Sequence, residues 1–170
     1  MSCCLQKIIG RKKRMNQNQN DQWVVFEYEV QMYWQSRVVL AKRLNPTSNE
    51  ELIIKNALVE SSMLHSRVLI DILLSRGPRS DDIHLEHLVT DWQSTDLKTI
   101  IDKLKFVWGT SSQPNTPCWT LNKMLAHGTN LRADRFDYGA LANSIDPIVW
   151  EAIHQIAKIT GRIHLLDFLT

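Results

Sequence analysis

Residues 48–78 read SNEELIIKNALVESSMLHSRVLIDILLSRGP. Ser48 followed three residues later by Glu51 is a capping box, in which a hydroxyl and a carboxylate satisfy the free amides of a helix start. Ile53, Ile54, Ala57, Leu58, Ser61, Leu64, Val68, Leu69 and Ile72 then recur at helical spacing. Ser75-Arg76-Gly77-Pro78 supplies a stop, glycine then proline. Start, stripe and stop together predict a long amphipathic helix.

The same reading extends in both directions. From Trp23 to Leu44 there is no Gly or Pro, and Asn45-Pro46 closes the stretch. Its Val, Tyr, Phe and Trp content suits either regular structure, but strands rarely exceed about ten residues, so its length predicts a helix. A short helix or turn covers 82–90. Thr95 or Ser94 caps a helix through Trp108, and Gly109 opens a loop. Thr116-Pro117 starts another helix over 117–127, closed by Gly128. Residues 129–145 have little periodicity, and Asp146-Pro147 reads as the cap of a last helix. The fold expected is all-α, a single-domain bundle of four to five helices.

Composition agrees. The chain has 170 residues, 44% hydrophobic and 22% charged, with six Gly and five Pro, which suits one domain and disfavours a turn-rich sandwich. No apolar run approaches the roughly 18 residues of a membrane span. The net charge of +2 is uneven: Lys7, Arg11, Lys12, Lys13 and Arg14 precede the first acid, Asp21, and without those five the remainder carries −3. Residues 1–22 are therefore expected to be a basic, polar and unstructured tail ahead of a domain over 23–170. Met15 as the true start is an equally simple account of the tail. Cys3, Cys4 and Cys118 are too few and too scattered for a disulfide framework or a zinc quartet. Adjacent cysteines beside basic residues would suit a membrane-surface anchor if residues 1–14 are translated. Without a signal segment, the default compartment is the cytoplasm.

The functional lead is Leu121-Asn122-Lys123-Met124-Leu125-Ala126-His127-Gly128. Lys123 and His127 fall on one helix face, with His127 on the last turn, where the helix dipole favours imidazolium. A histidine titrating near neutrality can move a proton in phosphodiester cleavage; equally, it can simply bond the terminal carbonyls. On the preceding helix, Glu60, Leu64, Arg67 and Asp71 form a stripe in which Arg67 and Asp71 are an i,i+4 ion pair that Glu60 can join, either a surface network or a set in which Glu60 or Arg67 orients His127 or binds an anion. Ser61 and His65 are also i,i+4, inside the apolar sector, as a core pair or as part of a site. His84 and His87, at i,i+3 beside Asp82 and Glu86, could share a metal on a helix, but there is no Glu-rich partner helix or His-Glu-x-x-His pattern, so a solvated face is the reading and no metal or cofactor is expected. The six tryptophans are spread over separate elements and read as core anchors rather than a base-stacking platform.

The segment 121–128 resembles the motif of the HEPN superfamily, helical bundles in which a late helix carries Arg, usually followed by Asn, and then His four to six residues on. Asn122 and His127 match, as does the helix-ending Gly128; Leu121 stands where the motif has arginine. The resemblance implies a homodimer in which the Arg and His of two protomers meet and cleave RNA without metal, in toxin–antitoxin or phage-defence settings. With leucine in place of the forked cation, it implies a catalytically degenerate, dimeric binding or regulatory module, with RNA or a protein as partner. The alternative is a metal-independent endoribonuclease using His127 as general acid/base, with Asn122 and Lys123 beside it and Glu60, Arg67, Asp71 and His65 as supporting groups.

Overall fold

A computed structural model describes residues 2–43, 45–77, 79, 81–126 and 138–169, and every regular element among them is helical. In chain order these are α1 (Ser2–Ala41), α2 (Asn49–Leu73), α3 (Leu85–Leu88), α4 (Leu97–Trp108), α5 (Pro117–Ala126) and α6 (Tyr138–Thr160). Short 3₁₀ turns cover Trp92–Ser94 and Ile163–Leu169. The expected helical bundle is the architecture observed.

α1 packs most extensively on α2, α4 lies on α6, and the C-terminal 3₁₀ turn returns to both α1 and α6. The core between them is aliphatic and aromatic: Phe26, Val30 and Tyr33 from α1, Leu69, Ile70 and Leu73 from α2, Leu97, Leu104 and Trp108 from α4, and Ile145, Val149 and Ile153 from α6. Tryptophans anchor it, as their dispersion predicts. Trp34 meets Trp150 edge-on at 4.6 Å, and Trp23 meets Phe26 edge-on at 5.7 Å beneath the Arg162 guanidinium.

α2 begins as its sequence predicts, with the Glu51 N–H donating to Ser48 Oγ at 3.2 Å. The Glu51 carboxylate reaches one residue further back than a capping box does, accepting from the Thr47 N–H at 2.6 Å and the Thr47 hydroxyl at 2.8 Å. Those bonds hold its pKa below the usual carboxylate value.

Three boundaries differ from the sequence reading. α1 starts at Ser2, so helical backbone runs through the segment expected to be an unstructured tail. That segment contains no proline and has four Gln, three Lys and two Arg, all good helix formers. The packed body also starts before Trp23: Gln19 Nε2 donates to the His87 carbonyl at 3.2 Å, and Gln22 Nε2 lies 3.4 Å from His87 Nδ1.

The end of α2 is the second. Ser75, not Gly77, takes the left-handed conformation, with φ of 50°. The Ser75 N–H bonds the Ile72 carbonyl at 3.0 Å and the Arg76 N–H bonds that of Asp71 at 2.8 Å, a Schellman motif with serine at its left-handed position. Gly77 serves close approach instead, since a Cβ there would sit 2.4 Å from the Asp82 carboxylate.

Third, α6 begins at Tyr138, eight residues before the expected Asp146-Pro147 cap, and runs through Pro147. Leu141, Ala142 and Ile145 already carry its buried stripe, so burial outweighs the missing amide. Pro147 is exposed. Pro147→Ala is therefore expected to stabilise the protein by about 1 kcal/mol, by returning an N–H to the helix ladder, read as a higher urea midpoint with an unchanged m-value.

Candidate functional site

α5 opens as expected, with the Trp119 N–H donating to Thr116 Oγ1 at 3.3 Å and Pro117 in the first turn. Its inward side carries Cys118, Thr120 and Leu121, the last fully buried. Asn122 is partly buried and turns back along the helix, its Nδ2 3.9 Å from Cys118 Sγ. Lys123 is also partly buried. His127, on which the sequence motif depends, lies outside the described residues.

Arg76 is the centre of what faces α5. The Schellman turn swings its guanidinium across the gap, with Nη2 donating to the Gly109 carbonyl at 2.8 Å and Nη1 to Cys118 Sγ at 3.5 Å. Arg67 and Asp71 stand nearby as their i,i+4 spacing predicts, Nε to Oδ2 at 3.7 Å, and their charges reach the Cys118 thiol. Burial pushes the Asp71 carboxyl above its usual value, against the pull of Arg67 and Arg76. It also pushes the thiol up, against Arg76, so Cys118 is a protonated, weakly nucleophilic group.

Of the α2 residues expected to support α5, Arg67 and Asp71 are thus beside it. His65 is not. Its Nδ1 lies 2.7 Å from Oε2 of Glu29 on α1, and its ring meets Tyr28 edge-on at 5.8 Å. Glu60 is exposed on the outer side of α2.

A second polar cluster crosses the core where α1, α2 and α6 meet. Asp146 Oδ1 accepts from the Tyr33 hydroxyl at 2.7 Å and pairs with Arg37 Nη2 at 2.8 Å. Arg37 Nη2 also donates to Ser66 Oγ at 3.1 Å, and Ser66 donates to the Ser62 carbonyl at 2.7 Å. The guanidinium lies 4.7 Å from the Tyr33 ring centroid. Burial raises the Tyr33 phenol and the Asp146 carboxyl above their usual values. Sequence reasoning missed this cluster because Asp146 beside Pro147 imitates a helix cap. The available signal was Tyr33 and Arg37 at i,i+4 within an otherwise apolar helix.

The described cavities lie elsewhere. One of about 290 Å³ is lined by Val39, Lys42, Arg43 and Glu51 at the α1–α2 turn; another of about 430 Å³ is lined by Val107, Thr120, Leu141 and Ser144. The polar cluster around Asp146 ties α1, α2 and α6 together through the Arg37 and Tyr33 bonds. His84 and His87 stack in parallel at 5.2 Å. His87 Nδ1 accepts from the His84 N–H at 3.2 Å, and Asp82 takes the Arg79 N–H at 2.8 Å. Among the described residues no three His, Cys, Asp or Glu side chains are placed to share a metal, and no helix is long and apolar enough to cross a membrane.

Compared with family models, curated proteins and solved structures, the chain matches none of them.

Proposed function

We propose that this protein is a non-catalytic, HEPN-like helical-bundle module that works by binding a protein partner, in a toxin–antitoxin or defence setting. The observation that carries the reading is the complete burial of Leu121. An RNA-cleaving site needs a cation on the phosphate, and an inward, apolar position cannot present one. The charge balance favours a protein partner over RNA, because the sequence beyond residue 14 is net acidic whereas RNA-binding surfaces are basic.

The competing reading, a metal-independent endoribonuclease, rests on Asn122 and Lys123 of α5 and on His127 of the sequence motif. Incubating the wild type and His127→Ala with single-stranded RNA in chelator separates the two. No cleavage by either protein is the expected result. Cleavage by wild type that vanishes in His127→Ala, with the melting temperature unchanged, would make the protein a nuclease and overturn the proposal.

A further inference from the structure

α1 packs Phe26, Val30 and Tyr33 into the core, yet Val24, Val25, Tyr28 and Val39 are exposed on the side turned away from it. On the neighbouring helix Ile53 and Leu64 are exposed as well. Tyr28 meets the His65 ring edge-on at 5.8 Å, which joins the α1 part of this patch to the α2 part at Leu64. The outer side of the α1–α2 pair therefore presents several hundred Å² of apolar surface, a size at which a patch marks a binding surface.

The cations lie further along the same helix. Lys7, Arg11, Lys12, Lys13 and Arg14 fall within about two turns, and no acid precedes Asp21. Because α1 runs unbroken from Ser2 to Ala41, their register to the patch is fixed. At about 3.6 residues per turn, eighteen residues make five turns, so positions 7 and 14 stand in line with Val25 and Met32, about 27 Å along the axis. Position 13 flanks them, in line with Gln31. One side of one helix thus carries a cationic stretch and then an apolar one, and its outward positions 24, 25, 28, 32, 35 and 39 hold no charge.

The combination names the occupant. A protein partner would cover the apolar stretch and leave the cations idle. A nucleic acid would take the cations and set Val24, Val25 and Tyr28 against its phosphates. An anionic lipid surface takes both: its headgroups face lysine and arginine while valine and tyrosine side chains enter the interfacial layer. Each signal is weak alone, and a basic cluster joined to an apolar insertion is the pairing that holds a protein on a membrane. Asp21, exposed between the two stretches, is outnumbered by the five cations before it. Among the described residues no helix is long and apolar enough to cross a membrane, so the contact is with its surface.

We infer that α1 lies lengthwise on an anionic lipid surface, its cationic first turns on the headgroups and its outer Val25–Tyr28 side inserted among them. The inference is independent of what α5 does, and it needs no acylation of Cys3 or Cys4. The purified, unacylated full chain should co-sediment with vesicles of phosphatidylcholine containing about a quarter phosphatidylserine, and not with phosphatidylcholine alone. Lys7→Glu with Arg14→Glu should lower the vesicle partition coefficient about tenfold or more. Val25→Asp with Tyr28→Asp should lower it about as much, with the helical circular dichroism intact because the two side chains are 43% and 50% exposed. A wild type that ignores both kinds of vesicle overturns the inference, whether the patch then proves to bind another protein or nothing. Equal binding to both kinds overturns it too. Binding lost in the cation variant yet unmoved by Val25→Asp with Tyr28→Asp overturns the lengthwise placement, since the first turns alone would then make the contact. Tighter retention on polyuridylic acid than on the anionic vesicles assigns the cations to RNA and overturns the inference.

Discussion

Asp146→Ala is expected to cost about 3–5 kcal/mol of folding stability, the penalty of stranding a buried cation. Arg37 is largely enclosed, its Nη2 shared between Asp146 and Ser66 while its Nε has no partner. The Tyr33 hydroxyl, buried as well, would lose its acceptor. Removing the whole set is a different experiment. Tyr33→Phe, Arg37→Met and Asp146→Leu together leave no group unpaired and should fall within about 1–2 kcal/mol of the wild type. Urea unfolding of the single and triple variants checks both; a single variant as stable as the triple would mean that the cluster is not closed in solution. The raised pKa of Asp146 adds a pH dependence of definite sign. As pH falls the native carboxyl takes up its proton before the unfolded one does, so this group's contribution to stability declines as pH rises through the acid range and is level at neutrality. The margin of wild type over Asp146→Ala should therefore be widest below the ordinary carboxylate pKa and narrow as pH rises from there toward neutrality.

The second large effect is at Leu121. Introducing an arginine at this position, Leu121→Arg, is expected to unfold the protein, or to destabilise it by several kcal/mol, without creating RNA cleavage. Leu121 is fully buried, and an unpaired guanidinium there would be desolvated. Leu121→Met, which keeps volume and polarity, should cost less than about 1.5 kcal/mol, and Leu121→Ala about 2–5 kcal/mol. Thermal melts order the three. A stable Leu121→Arg protein that gains cleavage would show that α5 can turn this position toward solvent, and would return the nuclease reading to the front.

Much of the fold was legible because it is written locally. Ser48 with Glu51, and Thr116 with Pro117, announce helix starts through bonds that close within a few residues. α2 could be recognised as a helix from its start and spacing, but not its buried face: of the expected stripe Leu69 and Ile72 are buried, Ile53, Ala57 and Leu64 are exposed, and Ser62, Met63, Ser66, Ile70 and Leu73 face the core instead. The misplacements came from short signals with two meanings. Asp146-Pro147 looks like a cap, yet Leu141, Ala142 and Ile145 extend the buried stripe upstream of it. Gly77 looks like a helix stop, yet Ser75 takes the left-handed position and Gly77 makes room for Asp82. The candidate site was less legible. Arg67 and Asp71 could be paired by spacing, but their nearness to α5 depends on Arg76, whose direction is set by a turn. Glu29 with His65, and Tyr33 and Arg37 with Asp146, are joined only by the packing of separate helices.

The pairing of α1 with α6 also orders events during synthesis. Tyr33 bonds a residue 113 positions later, and Glu27 bonds Arg162 and His164, 135 and 137 positions later. At roughly 5–20 residues per second, α1 and α2 are out of the ribosome for some seconds before Asp146 or Arg162 exists. Loop closure over such distances comes late in any case. During that wait an arginine at position 37 sits in water at little cost, where a leucine would offer a sticky site to other nascent chains. The ion pair, modest as a source of stability, gives the first hairpin a soluble waiting state and gives the sixth helix a specific place to dock.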